Sequence, residues 1–434
     1  KEIGVGLLGF GTVGAGVVEG LQKNGDLLAE RTGVRLVLRR VADLDLTRDR
    51  GVQVAPALLT TDAAAAVRDP GVDIVVELVG GTTAAKALTL TALELGKPVV
   101  TANKALLAEH GAEIFQAAAA RRTAVFFEAS VAGGVPIIRA LREGLVANRI
   151  RRIYGILNGT CNYVLTRMDR EGMTFDHALR EAQQAGYAEA DPRLDIDGVD
   201  TAHKAVILAS LAYGVHVPMS AVHVEGLRGL ARADLEYAGG LGYSLKLLAV
   251  VKNVNGEIEV RVHPTLLPAD HMLASVPGVF NAVMVEGDIV GQTVYYGRGA
   301  GRHPTASAVL SDMADAARRL VFSGGMFGNA LPRGAAAGRF RPIGEVETRY
   351  YLRLALMDRP GVLGQVATIL GRHEISLASV LQKEPHRTGR YVPVVVLTHP
   401  ARERDVDTAL EELAHCDALG GKPVRLRIED LEAE

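Results

Sequence analysis

The chain has no tryptophan, two cysteines in 434 residues and an aromatic content of 5%. Cys161 and Cys416 lie far apart and outside any CxxC pattern, which excludes a disulfide framework and a zinc cage and points to a reducing cytoplasm. No apolar run approaches the roughly 20 residues that a spanning helix needs. The chain also begins directly with a strand pattern, without the charged region and cleavage site of a secretion signal. Neither export nor membrane insertion is expected. Charge of one sign is lacking too: 48 Lys and Arg against 50 Asp and Glu leave a formal net charge of -2. The basic residues are spread along the chain, so nucleic acid and anionic membrane are discounted as partners. What is present is ordinary globular material, 48% hydrophobic and 23% charged, at a length that allows several cores.

The fold class expected is α/β. Residues 3–8 read as a buried strand, 14–30 as a helix and 34–42 as a second strand. The alternation continues with a strand at 73–78, a helix at 84–95, a strand at 98–102, a helix at 104–121 and a strand at 124–129. That order implies a doubly wound, Rossmann-type parallel sheet over residues 1–130. Residues 131–302 read as an α+β substrate and dimerisation domain, with helices around 174–185 and 197–213 and a strand-like run at 257–264. A helix at about 303–320 is expected to return to the nucleotide domain. Proline and glycine punctuation from Ala330 to Gly344 marks a linker, so 303–344 reads as returning helix plus linker. Residues 345–434 then read as a separate βαββαβ module.

Gly9-Phe10-Gly11-Thr12-Val13-Gly14 is GxGxxG between a strand and a helix, the setting in which backbone amides and a helix N-terminus meet a pyrophosphate. Asp43 ends the second strand, where an acid accepts from a ribose 2′-hydroxyl and favours NAD. Arg39, Arg40 and Arg48 lie near the same edge, where an arginine holds a 2′-phosphate instead, so the choice of cofactor stays open. Lys104 follows the strand at 98–102, at the carboxyl edge where open α/β sheets bind ligands. Glu128 to Pro136 joins the two domains through turns that expose carbonyl oxygens. Its spacing alone favours a hinge over a hard-cation site. The segment from Glu189 to Lys204 gathers Glu189, Asp191, Asp195, Asp197 and Asp200, a cluster that calls for a neutralising cation such as a ligand's ammonium group. Asp200 and Lys204 are i and i+4 on one helix face. That spacing suits a surface ion pair, or a lysine that donates a proton to a developing alkoxide. Cys161 reads as a buried, inert thiol rather than a nucleophile.

In their order, GFGTVGAG, TANKALLAEHG, FEASVAGGVPI, ILNGTCNY, GYAEADPRLDIDGVDTAHK and GRGAGRHPTASAV resemble the homoserine dehydrogenase family. The likeness is to its long form with a C-terminal ACT module, and it covers essentially the whole chain. It implies interconversion of L-homoserine and L-aspartate 4-semialdehyde with NADP or NAD, in threonine, methionine and isoleucine biosynthesis. Lys204 would be the general acid of the reductive direction, and Lys104 would lie beside the nicotinamide and the reacting oxygen. Gly186, Glu189, Asp195 and Asp200 would contact the substrate. The glycine loop, Arg40, Asp43, Lys104 and Gly301 would contact the cofactor. A sodium ion would sit on Glu128 and the carbonyls of Val131, Gly133 and Val135, which reverses the hinge reading. The tail loop MDRPGVLG resembles the first loop of ACT domains, implying threonine as effector and a homodimer or homotetramer. In one departure, Ala42 to Leu46 lacks the arginine that many relatives place there, so NADP and NAD both stay open. Two alternatives remain: an aspartate-semialdehyde dehydrogenase using Cys161, and a non-catalytic dinucleotide and amino-acid sensor.

Overall fold

Strand β1 (Glu2–Leu8) buries six of its seven residues, the pattern of a strand covered on both faces. Helix α1 (Thr12–Thr32) follows and stops at Gly33, which takes a left-handed φ of 73° and donates its amide to the Ala29 carbonyl. The computed structural model describes residues 1–322, 338–382 and 390–431, so residues 330–337 of the expected linker lie outside the described residues. After β2 (Arg35–Ala42) come the two-residue β3 (Leu59–Thr60) and α2 (Ala63–Arg68), which the Asp62 side chain caps from the Ala65 amide at 2.8 Å. Then come β4 (Ile74–Glu77), α3 (Thr83–Glu94), β5 (Val99–Thr101), α4 (Lys104–Ala120) and β6 (Val125–Phe126). The sheet runs β3-β2-β1-β4-β5-β6 with every pair parallel, as the alternating pattern predicts. Strand order reverses between β1 and β4, which opens a crevice at their carboxyl ends. The last strand is shorter than expected, because Glu128–Ser130 turns into a 3-10 helix.

The described residues fall into two compact units. The first holds 1–159, 200–222 and 279–338, and so takes in parts of the segment expected to form the substrate domain. In it the helix Arg302–Phe322 lies against α1. The approach is close at Gly16, where an added Cβ would stand 2.8 Å from the Arg302 carbonyl. The helix Val199–Tyr213 buries every residue from Asp200 to Ser210. Asp200 and Lys204 are therefore core residues, and the surface-pair reading of their spacing does not hold.

The second unit holds 160–199, 223–278 and 339–434. Its tail forms strand Glu347–Met357, helix Val362–Arg372, strands Leu377–Gln382 and Tyr391–Thr398, helix Glu403–Ala414 and strand Val424–Ile428, the expected βαββαβ order. The module is not separate, however. Strand Val424–Ile428 pairs in parallel with Glu257–Pro268, with Thr265 opposite Arg427 and Leu266 opposite Ile428. Two buried arginines flank this seam. Arg261 donates to Glu259 at 2.7 Å and Glu429 at 2.5 Å, and Arg427 meets Glu403 and Glu225, each at 2.8 Å. Replacing Arg261 with alanine strands the buried Glu259, leaves Glu429 with Lys252 alone at 2.8 Å, and is expected to cost about 3–5 kcal/mol, read as a lowered denaturant midpoint. A midpoint within error of the parent would show that the seam contributes little.

Candidate active site

The glycine loop shows which of its residues the fold itself requires. Gly9 has φ of 93°, and an added Cβ would sit 2.5 Å from the Leu78 carbonyl; at Gly14 it would sit 2.2 Å from the Gly9 carbonyl. Gly11 is different, since a Cβ there would meet no protein atom within 4 Å. Packing gives no reason for glycine at that position, whereas a pyrophosphate approaching the backbone does. Gly11 is also the N-cap of α1, so Thr12, Val13 and Gly14 open a helix with no side chain over its first amides. The residues present therefore fit a dinucleotide. Gly301, with φ of 111°, precedes the helix that packs on α1, and its carbonyl accepts from Thr305 at 3.1 Å.

At the end of β2, Asp43 accepts from the Phe10 amide at 2.6 Å. Arg40 turns elsewhere and pairs with Asp69 at 2.8 Å. The arginine that does meet the loop is Arg50, which the sequence gives no reason to single out. Its guanidinium lies 4.9 Å from the centre of the Phe10 ring and donates to the Phe10 carbonyl.

Lys104 starts α4 directly after β5. Asn103 caps that helix by accepting from the Leu106 amide at 3.0 Å and donating to the Gly81 carbonyl at 2.7 Å. Beneath them, Thr101 donates to the buried Glu77 at 2.6 Å, and burial raises the Glu77 carboxyl above its ordinary pKa. A charged residue closing an otherwise apolar strand was the one sequence signal for Glu77. Lys104 stands 3.1 Å from Asp200 Oδ1, and Lys204 donates to Asp200 Oδ2 at 2.7 Å and to the Leu157 carbonyl at 2.6 Å. Asn158, also missed, donates to Asp200 at 2.9 Å. Burial by itself would raise the Asp200 carboxyl. The charges of Lys204 and Lys104, with hydrogen bonds from Lys204 and Asn158, outweigh it and hold Asp200 well below the usual carboxylate range. Two lysines thus flank one ionised aspartate at the carboxyl edge of the parallel sheet.

Gly186, Glu189 and Asp195 belong to the second unit. Gly186 (φ 73°) and Glu189 are exposed, while Asp195 sits half-buried in the short helix Arg193–Ile196. The need for an external cation is smaller than the sequence suggests. Asp191 is bound by Arg193 at 2.5 Å and Asp197 by Arg228 at 2.5 Å, so much of the acidic repulsion is relieved within the chain. Cys161 is fully buried and its thiol donates to the Asp195 carbonyl at 3.2 Å, as suits an inert thiol.

Glu128 spends its carboxylate on the amides of Ile138 and Arg139, each at 2.9 Å, which leaves the loop carbonyls rather than this side chain as the donor set for a cation. Ala132 and Gly133 take left-handed φ values of 53° and 37°, turning the loop that carries those carbonyls. Among the described residues no group of three or more His, Cys, Asp or Glu is placed to hold a metal ion. Behind the loop, Asp312 accepts from the Glu128 amide at 2.8 Å, and burial pushes its carboxyl up to about 8. A carboxyl raised in the folded state contributes stability that is whole below its unfolded pKa and lost as pH rises through the folded one. Asp312→Asn should therefore gain in melting temperature on the parent as pH climbs from about 4 to about 8. A difference independent of pH would count against a neutral Asp312.

The chain matches the family models for the homoserine dehydrogenase NAD-binding domain over residues 9–128, for homoserine dehydrogenase over 136–314 and for the ACT domain over 350–415. It is 44% identical to a homoserine dehydrogenase of Pseudomonas aeruginosa, covering 99% of this chain and all of the relative. A homoserine dehydrogenase structure from Thiobacillus denitrificans superposes with a TM-score of 0.93 at 45% identity, covering 100% of this chain and 99% of the other. A hyperthermophilic archaeal homoserine dehydrogenase, solved with NADPH, covers 73% of this chain and 98% of its own, with a TM-score of 0.63 at 29% identity. Among the described residues no helix is long and apolar enough to cross a membrane. A dinucleotide-type glycine loop, a lysine-flanked aspartate at the sheet's carboxyl edge and a βαββαβ tail coincide with these matches, and the chain belongs to the homoserine dehydrogenase family.

Proposed function

We propose that the chain interconverts L-homoserine and L-aspartate 4-semialdehyde in the cytoplasm, using NADP or NAD, with Lys204 exchanging the proton of the reacting oxygen. The observation that carries this is the Lys104–Asp200–Lys204 arrangement, in which Asp200 and Lys204 are buried, Lys104 is half-exposed, and Asp200 lies 3.1 and 2.7 Å from the two ammonium groups. When bound, the nicotinamide supplies or accepts the hydride. Lys204 has three donors, two of them directed at Leu157 and Asp200, and the third serves the substrate oxygen. Ionised Asp200 keeps Lys204 in place, and Lys104 stabilises negative charge as it develops on that oxygen. The resemblance assigns Gly186, Glu189 and Asp195 to the amino acid as well. By the same resemblance a sodium ion would use Glu128 and the carbonyls of Val131, Gly133 and Val135, threonine would bind at the Asp358–Gly364 loop, and the chain would form a homodimer or homotetramer.

The test is cofactor absorbance with homoserine and each nucleotide in turn, repeated with threonine. Oxidation of homoserine supports the assignment, and lower rates with threonine support an effector role for the tail. Silence with both nucleotides would leave the non-catalytic sensor as the better account. The thioester chemistry of an aspartate-semialdehyde dehydrogenase is not supported, because the one cysteine near the glycine turns is buried with its thiol turned to a carbonyl.

A further inference from the structure

We propose that Arg50 sets the cofactor choice, neutralising Asp43 at the rim of the glycine loop so that the site favours a nucleotide carrying a 2′-phosphate, and that Asp43 is a latch on the loop rather than the reader of the ribose. The proposal rests on the reading of Gly9 to Gly14 as the nucleotide loop. An aspartate at the end of the second strand ordinarily selects NAD, because its free carboxylate accepts from the 2′-hydroxyl and repels a phosphate. Here the carboxylate is otherwise engaged. Oδ2 accepts from the Phe10 amide at 2.6 Å, Oδ1 accepts from the Asp45 amide at 3.0 Å, and the Arg50 guanidinium stands 3.4 Å from Oδ1.

Arg50 is fixed in that place. Its side chain is only 8% exposed, lies over the Phe10 ring, and donates to the carbonyls of Phe10, Asp45 and Arg48, the last at 2.7 Å. Its own carbonyl accepts from Arg302 at 3.0 Å. Two of the three arginines that the sequence offers at this edge point elsewhere, Arg39 to Glu2 at 3.2 Å and Arg40 to Asp69 at 2.8 Å. The carboxylate of Asp43 and the guanidinium of Arg50, in contact, offset each other's charge. The usual penalty on a 2′-phosphate is thereby removed, and the cation adds attraction.

The experiment is calorimetric titration of NADPH and NADH into the full chain and into Arg50→Gln, Arg50→Lys and Asp43→Asn, each checked by melting temperature. The parent is expected to bind NADPH at least as tightly as NADH. Arg50→Gln, which uncovers the Asp43 charge, should lower the NADPH to NADH affinity ratio about tenfold or more, while Arg50→Lys holds it near the parent. Asp43→Asn should move the ratio in the opposite direction. Should Arg50→Gln not fold, the opposed shift in Asp43→Asn decides. Equal losses for both nucleotides, or a parent that prefers NADH, would overturn the proposal while leaving the nucleotide loop intact. A parent that binds neither nucleotide would overturn the loop reading itself.

Discussion

Lys204→Ala should lose about 10²–10⁴-fold in turnover while keeping its affinity for nucleotide, since a positioned general acid contributes on that scale. The separation of the two effects is what makes the variant informative. Lys204 touches Asp200 and the Leu157 carbonyl, whereas the glycine loop follows β1 and makes its hydrogen bonds to β2 and the loop after it. The substitution also removes one of the two cations holding Asp200 ionised, so some loss of stability is expected and the melting temperature must be followed alongside. The pH profile gives the second readout. With a proton-exchanging lysine gone, the limb of the profile belonging to that group should vanish rather than shift. Turnover near that of the parent, with its profile unchanged, would remove Lys204 from the mechanism.

Gly11→Val should fold like the parent and lose nucleotide affinity on the order of 100-fold, because the new side chain enters open space that the fold leaves for a ligand. Gly14→Ala is the contrasting case. Its Cβ would lie 2.2 Å from the Gly9 carbonyl, which forces the loop apart and costs about 1–3 kcal/mol or more in stability. The two glycines belong to one motif, yet melting temperature and calorimetric affinity should sort them into opposite classes. Equal thermal losses in both variants would mean that Gly11 is as structural as Gly14.

Much of the architecture was legible because parallel strands are buried on both faces and their helices begin and end on local signals. β1, α1 and β2 were read from an apolar run, a glycine loop and a return to apolar residues, and the tail from the same alternation. β3 was not, since a strand of two residues carries no period. Ile150–Ile156 was not separated from its surroundings because its partner, Phe280–Gly287, lies far along the chain, whereas Tyr243–Val254 and the hairpin of Phe280–Gly287 with Gly291–Arg298 depend on burial that composition does not reveal. The site divides in the same way. Lys104, Asp200 and Lys204 stood out through position and spacing. Asn158, Glu77 and Arg50 act through contacts spanning 24 to 42 residues, and only folding brings those partners together. The acidic run misled in part for the same reason: Arg228, which answers Asp197, comes 31 residues later.

The parallel pairing of Val424–Ile428 with Glu257–Pro268 makes the tail a poor candidate for cassette exchange. Cutting the chain ahead of residue 345 would bare the backbone of a long strand and take Glu429 from the sealed Arg261, while a transplanted tail would need matching charges at Arg427 and Glu429 to dock. Any chimera that keeps solubility would therefore have to carry the donor's seam along with its effector loop.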